Sequence, residues 1–356
     1  MKASIKKTSF KGEVLYIGMD VHKKSWMISI ISRDIFLKRF SQEPDAERLS
    51  KSLKKMYPEA TLKCVYEAGY CGFWIAEGLQ KEGIDCIVVN PADIPITNKD
   101  KDRKTDKVDS KKLAELLRAG LLTGIYIPKV EELEDRYLLR MRSILIRYQS
   151  ATKNRIKAAL TFNNIIIPEE QLSKYWAKNY INYLKTIKFT QVSGQEAFTA
   201  LLRQLDYYRE DILRITKSIR ELAKTEKYKN VIERLISIPG IGIINALTLL
   251  TEIADIDRFS CANRFRGFIG LVPKEHSSGE RINRRSMSKR GNNRLKTMLV
   301  ESAWVAVRTD PAMTLAFEQL TKRLNKSGAI IRIASKLANR ILHVMVTKEQ
   351  YVYSVA

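Results

Sequence analysis

Three β-rich runs lie near the start of the chain with only short polar breaks between them: 14–20 (VLYIGMD), 26–32 (WMISIIS) and 35–40. Breaks this short leave no room for a crossover, so the runs fold as a meander of neighbouring antiparallel strands. Helix and strand patterns then alternate. The segment 47–56 (ERLSKSLKKM) reads as a helix, and 62–67 (LKCVYE) as a fourth strand ending at Ala68-Gly69. A helix follows at 72–82, then a fifth strand at 84–90 (IDCIVVN) stopped by Pro91, and a helix at 108–118 (VDSKKLAELLR) closed by Gly120.

The order β-β-β-α-β-α-β-α is that of a ribonuclease-H-like mixed sheet. A doubly wound Rossmann domain is the competitor, but no GxGxxG follows the first strand. In a ribonuclease-H-like sheet the first and fourth strands are neighbours. Asp20 ends the first, after an apolar run in which a carboxylate is costly to bury unless it binds something. Glu67 ends the fourth, so the two acids meet. Asp106 and Asp109, at i and i+3, share one face at the start of the last helix. Asp102 is a rival one turn upstream. Carboxylates converging from different elements suit a hard divalent cation such as Mg²⁺. Paired cations of this kind stabilise the charge that develops during phosphodiester cleavage. Taken singly, Asp20 also reads as a turn residue, and Asp106 or Asp109 as a first-turn helix acid.

Charge names the partner class. The chain has 356 residues, with 63 Lys plus Arg against 39 Asp plus Glu, a formal net charge of +24. Such an excess neutralises a polyanion, which points to nucleic acid. A hydrophobic content of 45% excludes a disordered basic tail. No apolar run approaches the ~18–20 residues of a membrane span, and the N-terminus shows no signal peptide. The expected setting is a reducing cytoplasm, with no membrane partner. The four cysteines form no CxxC pair and read as buried small residues. The three histidines make no metal-binding spacing, so chemistry falls to carboxylates and hydroxyls.

The middle of the chain is helical and charged. Leu201, Leu205, Tyr208, Ile212, Ile215, Ile219 and Leu222 form an a/d seam at a 3.5-residue period, and 134–160 is a second long helix. An antiparallel hairpin and an intersubunit coiled coil serve the seam equally well. From about residue 231 the chain changes again. Pro239-Gly240-Ile241-Gly242, between two apolar helical stretches, is a helix-hairpin-helix signature whose glycines let backbone N–H groups approach a phosphate. A tight interhelical turn is the plainer reading. The expected division is 1–125, 126–230 and 231–356, an α/β domain, a helical linker and a mainly helical domain.

Downstream, 268–279 (FIGLVPKEHSSG) leads into a basic polar loop. Lys274, Arg281, Arg284, Arg285, Lys289, Arg290, Asn292 and Arg294 supply cations and polar groups suited to phosphate. A serine hydroxyl becomes a nucleophile only when activated. The chemistry alone does not choose among Ser277, Ser278, Ser286 and Ser288.

These motifs together resemble a known family. IGMDVHKKSW at 17–26, VYEAGYCG at 65–72, VNPADIP at 89–95 and KTDKVDSKKLAELL at 104–117 resemble the N-terminal domain of the insertion-sequence one-ten family of DEDD transposases. Piv-type DNA invertases share this domain. IPGIG, RFRGFIGLVPKEHSSG and SKRGNNRLK resemble the family's C-terminal domain. The resemblance implies a RuvC-like catalytic domain whose DEDD acids are Asp20, Glu67, Asp106 and Asp109, holding Mg²⁺ or Mn²⁺. It implies that Ser278, just before Gly279, forms a covalent phosphoserine link to DNA. It further implies a structured bridge RNA pairing with donor and target DNA, and dimers or tetramers whose active sites combine domains of different subunits. Ser110 departs from the family's commoner alanine, and His276-Ser277 precede the expected nucleophile. Inversion of the Piv type requires the same breaks and rejoining as transposition. A RuvC-like nuclease would need the acids without Ser278, and a non-catalytic binder would need neither.

Overall fold

The structure is a computed structural model. It describes residues 10–33, 35–95, 106–172, 176–278, 281–287 and 290–353, with the backbone alone at 106–107, 172, 274–278 and 281–287. Two compact units divide the chain, residues 1–127 and 128–356.

The first unit is built on a five-stranded mixed sheet ordered β3-β2-β1-β4-β5. The strands are β1 (Val14–Val21), β2 (Trp26–Ser32), β3 (Ile35–Gln42), β4 (Thr61–Glu67) and β5 (Asp85–Val89). The meander β1-β2-β3 is antiparallel, and β4 and β5 run parallel to β1. The expected α/β fold with strands one and four adjacent is therefore the one found. Helices α1 (Ala46–Met56) and α2 (Trp74–Lys81) cover one face. There Leu15, Ile17 and Met19 pack with Leu49, Leu53, Ile75 and Leu79 in a shared core. Each such side chain contributes roughly 1.5–3 kcal/mol on burial. Asp45 starts α1 by accepting the Arg48 N–H at 2.9 Å. Helix α3 (Asp106–Arg118) covers the opposite face, where Leu113 packs with Val65, Val89 and Ile94.

Gly18 permits that second layer. A Cβ there would lie 2.0 Å from the Ser110 carbonyl oxygen and 2.5 Å from the Ala114 nitrogen. The backbone of α3 thus rests directly on β1.

The second unit begins with α4 (Val130–Phe162), a short helical turn at Glu169–Leu172, α5 (Lys178–Thr186) and α6 (Val192–Leu222). Then come α7 (Lys229–Leu235), α8 (Ile243–Ile253), α9 (Ala262–Ile269), the ribbon β6 (Pro273–Ser278) and β7 (Arg281–Met287), α10 (Asn293–Thr309), α11 (Pro311–Thr321) and α12 (Lys326–Thr347). Helices α4 and α6 lie antiparallel. Asp135 meets Lys227 and Tyr228, Arg142 bonds Thr216, and Tyr148 stacks near Tyr208. Ile156 and Leu160 then join Phe198, Leu202 and Leu205 in one core. The seam residues are all buried or half-buried against this hairpin, which is formed within one chain. Leu139 and Ile219 share a core with Leu247, Leu299 and Leu337, so the helical middle is packed together with the C-terminal helices. No described helix is long and apolar enough to cross a membrane.

One expectation changes. The basic serine segment read as a loop is a two-stranded ribbon, and Ser286 lies within β7. Its strands, PKEHSS and RINRRSM, are polar on both faces, so they lack the period-two hydrophobic alternation that marks a half-buried strand.

Candidate active site

Strand register brings the first two acids together. Met19 pairs with Tyr66 across the parallel β1–β4 ladder, so Asp20 and Glu67, one residue on, are neighbours. Side chains alternate along a strand. Asp20 and Glu67 therefore share the face of Gly18 and Val65, which is the face α3 covers. The Asp20 side chain is 20% exposed, and His22 Nε2 lies 3.3 Å from its Oδ2. Glu67 is half-buried and pairs across to Val89 of β5.

Helix α3 runs against β1. Its residues Ser110, Leu113 and Ala114 sit over Gly18. Its later residues, Lys111, Glu115 and Arg118, line a cavity with Ile31, Arg33 and Phe36, toward the start of β1. The first turn of α3 thus lies toward the strand end that carries Asp20 and Glu67. Asp109 in that turn is half-buried. Asp106 opens the helix, and its side chain lies outside the described residues. Ser110 is buried and shares a 2.9 Å hydrogen bond with Ser29, which also accepts from Arg39 Nε at 3.2 Å. Ser29 lies directly across from Gly18 in β2. The residue that departs from the family pattern therefore ties α3 to the sheet.

Asp20 and Glu67 supply adjacent hard oxygen donors, which is the chemistry a divalent cation requires. Among the described residues no group of three or more His, Cys, Asp or Glu is gathered for a metal. The cysteines do not offer an alternative. Cys64 and Cys86 face each other across β4 and β5, and burial pushes the Cys86 thiol up to about 12 and Cys64 well above its ordinary value. Cys71 is half-buried, and Cys261 departs from expectation: it is exposed at the start of α9.

The serine stands on the ribbon. Ser278 is the last residue of β6 and pairs with Arg281, the first of β7; Ser277 pairs with Ile282 and Lys274 with Arg285. Arg284 lies opposite Glu275. Lys289 lies outside the described residues, and Arg290 is exposed.

The ribbon leaves the helices through a neck. Gly270 has φ +87° and Gly291 φ +110°, and a Cβ on Gly291 would lie 2.6 Å from the Gly270 nitrogen and 2.7 Å from its Cα. Only glycine fits such a crossing at positive φ. The Asn292 N–H donates to the Phe268 carbonyl at 2.7 Å.

Asn292 anchors this neck. Its Oδ1 accepts the N–H groups of Arg294 and Leu295 at 3.1 and 3.2 Å, capping α10. Its Nδ2 donates to Glu252 Oε2 at 2.9 Å. Glu252, only 2% exposed, accepts from Arg140 Nε on one oxygen. It accepts from a second Arg140 nitrogen on the other, at 2.8 Å. Arg294 Nε is 3.5 Å away. Burial pushes the Glu252 carboxyl up, but the hydrogen bonds and charge of Arg140, with Asn292 and Arg136, overcome this and hold it below the ordinary range. Asn292 and Arg294, read as phosphate contacts, both lie at Glu252 in the neck. Glu252, Arg140 and Arg136 did not emerge from sequence reading. The usable signal was an acid inside the apolar run TLLTEI, the same signal that singles out Asp20.

The PGIG turn divides its residues between two tasks. Pro239 is buried. A Cβ on Gly240, at φ +87°, would meet the Ser302 carbonyl oxygen of α10 at 2.3 Å. These two residues seat the turn on α10. Gly242 is exposed at the N-terminus of α8 with open space around its Cα.

Comparison with known proteins covers both units. The model for DEDD transposases of the IS110 type, described as a transposase, matches residues 17–165. The model described as transposase IS116/IS110/IS902 family matches residues 232–318. The chain is 31% identical over 240 residues to a putative transposase, y4qE, of Sinorhizobium fredii, a match covering 67% of the chain and 57% of that relative. It is 29% identical to the transposase for insertion sequence element IS1533 of Leptospira borgpetersenii, across 82% of the chain and 84% of the relative. It is 27% identical to the transposase for element IS1111A of Coxiella burnetii, across 70% and 69%.

Proposed function

The chain belongs to the IS110 family of transposases, and on that premise we propose that it cleaves and rejoins DNA strands through a phosphoserine intermediate at Ser278. The observation that carries this reading is the adjacency of Asp20 and Glu67 beneath the first turn of α3. That is a paired-carboxylate end in a RuvC-like sheet, joined in one chain to a basic ribbon ending in serine.

The family implies a divalent metal, and Asp20, Glu67, Asp106 and Asp109 are the residues that would hold Mg²⁺ or Mn²⁺. Such a cation, when bound, neutralises charge developing on the phosphate and its leaving oxygen. The Ser278 hydroxyl forms a new P–O bond as the bond to the departing deoxyribose oxygen breaks. The serine proton passes to solvent, and the departing oxygen takes one up. Rejoining reverses the exchange with the hydroxyl of another strand. The cations of β6 and β7 hold the phosphodiester in place.

Residues 1–125 form the catalytic domain in this reading, 126–230 the linker and 231–356 the transposase domain. The remaining charge of the +24 chain serves a structured bridge RNA, which selects donor and target DNA. A dimer or tetramer is the working form, acting on DNA in the prokaryotic cytoplasm.

Denaturing gels of wild type, Ser277→Ala and Ser278→Ala after incubation with DNA and Mg²⁺ test the reading. Wild type and Ser277→Ala yield covalent protein–DNA adducts, and Ser278→Ala yields none. Adducts persisting in Ser278→Ala would overturn the nucleophile, and cleavage without any adduct would favour a metal-activated water.

A further inference from the structure

Helices α9, α11 and α12 line an open cavity of about 690 Å³ beside the neck. Among the described residues four basic side chains line it: Arg266 of α9, Arg323 between α11 and α12, and Arg332 and Lys336 of α12. Ser335 and Asn339 add polar groups, and the end of α11 adds an apolar wall. Among the described residues no carboxylate lines the cavity, and α12 contains no Asp or Glu along its whole length. Arg332 and Lys336 stand at i and i+4, where like charges destabilise a helix. Arg323, Arg332 and Lys336 are exposed and Arg266 is half-buried, so the cations are open to a ligand arriving from solvent. Here the concentrated positive charge calls for an anion from outside the chain.

The cavity is connected to the neck. The Ser335 hydroxyl donates to the Leu271 carbonyl at 3.3 Å, two residues before β6 begins. The carbonyl of Arg266 accepts the N–H groups of both Gly270 and Leu271 at 2.9 Å. Asn263 holds one end of the Arg266 guanidinium, and its Nε is buried without a hydrogen-bond partner among the described residues.

The volume falls in the range of about 300–1,000 Å³ that encloses a small-molecule-sized group. Among the described residues the lining contains no aromatic ring on which a base could stack, and its polar groups are mostly donors. We propose that this cavity is a phosphate-binding site that grips the backbone of the DNA strand flanking the one held at the ribbon. It contacts phosphates and reads no sequence. The DNA identity of the strand rests on the function proposed above.

The test is salt-dependent binding of a short DNA duplex by the full chain, followed by fluorescence anisotropy. The triple variant Arg323→Gln, Arg332→Gln, Lys336→Gln weakens binding on the order of ten-fold or more. It lowers the slope of log affinity against log salt by about 1 for each phosphate no longer neutralised. A charge-matched variant elsewhere in the second unit, Lys178→Gln, Lys188→Gln, Lys217→Gln, keeps the wild-type slope. Equal weakening in both variants would overturn the site, as would loss of RNA-hairpin binding with DNA binding intact. If the triple variant fails to fold, acylation of Lys336 in the wild-type chain decides: protection by DNA supports the site and its absence overturns it. None of these measurements uses strand cleavage. A cavity that binds DNA in a chain whose Ser278 forms no adduct would leave this site standing while the proposed chemistry falls, and the converse holds equally.

Discussion

Arg140 and Glu252, 112 residues apart, are joined by two parallel hydrogen bonds of 2.8 Å. This pair links the long helix α4 to the base of the serine ribbon through Asn292. Removing the acid strands two arginines and an asparagine. A fully buried pair broken this way costs about 3–5 kcal/mol. Arg140 is 43% exposed and solvent screens part of its charge, so Glu252→Ala is expected to cost about 1–3 kcal/mol. Urea unfolding measures it, with Glu252→Gln showing only part of the loss, because its one amide oxygen still accepts from Asn292 and one Arg140 nitrogen while its NH₂ faces the other.

The same carboxyl gives a pH signature. Its folded pKa is depressed, so its contribution is fully present above the unfolded value of about 4.3 and is lost as pH falls through the folded value. The stability gap between wild type and Glu252→Gln should therefore be constant from neutral pH down to about 5 and shrink below about 4. A gap that persists unchanged in strong acid would show that the charge on Glu252 contributes nothing.

Gly18→Ala removes no functional group, yet its methyl would enter the backbone of α3. Overpacking usually costs about 1–3 kcal/mol, and a backbone obstacle puts this case at about 3 or above. Circular dichroism melts should show the loss, and metal-dependent cleavage should fall with it because α3 carries Asp106 and Asp109.

Asp20→Asn and Glu67→Gln test the acids directly. Each is expected to slow strand cleavage on the order of 10²-fold or more. In the wild type, Mg²⁺ raises the melting temperature by binding the folded state. That rise is smaller in both variants, which separates lost metal binding from lost positioning.

Ser110→Ala is the mild counterpart. It removes one side of the buried Ser29–Ser110 bond, but Arg39 continues to donate to Ser29. The expected cost is about 1 kcal/mol in chemical denaturation, with strand cleavage retained.

The sheet was legible because its signals are local. Short breaks force a meander, helical spacers force parallel crossovers, and a carboxylate closing an apolar strand stands out. Asp20 and Glu67 followed from topology, and the register Met19 to Tyr66 places them side by side. The ribbon was hidden because a strand whose residues are polar at successive positions carries no hydrophobic period. The Glu252 cluster was hidden for a different reason. Its members come from α4, α8 and the start of α10, and nothing in the spacing of those segments announces that they meet. Gly240 illustrates a third case: the residue was noticed, and the structure shows its missing side chain making room for Ser302.

The contact between Gly270 and Gly291 has a consequence for how the molecule is assembled. The chain departs from the helices and re-enters them at a single point, so the ribbon is an appendage whose two roots already touch. Ile269 on one side and Leu295 on the other belong to one buried core, so packing fixes both roots in place. Because the two roots meet, the segment between them can change length without separating the helices it joins.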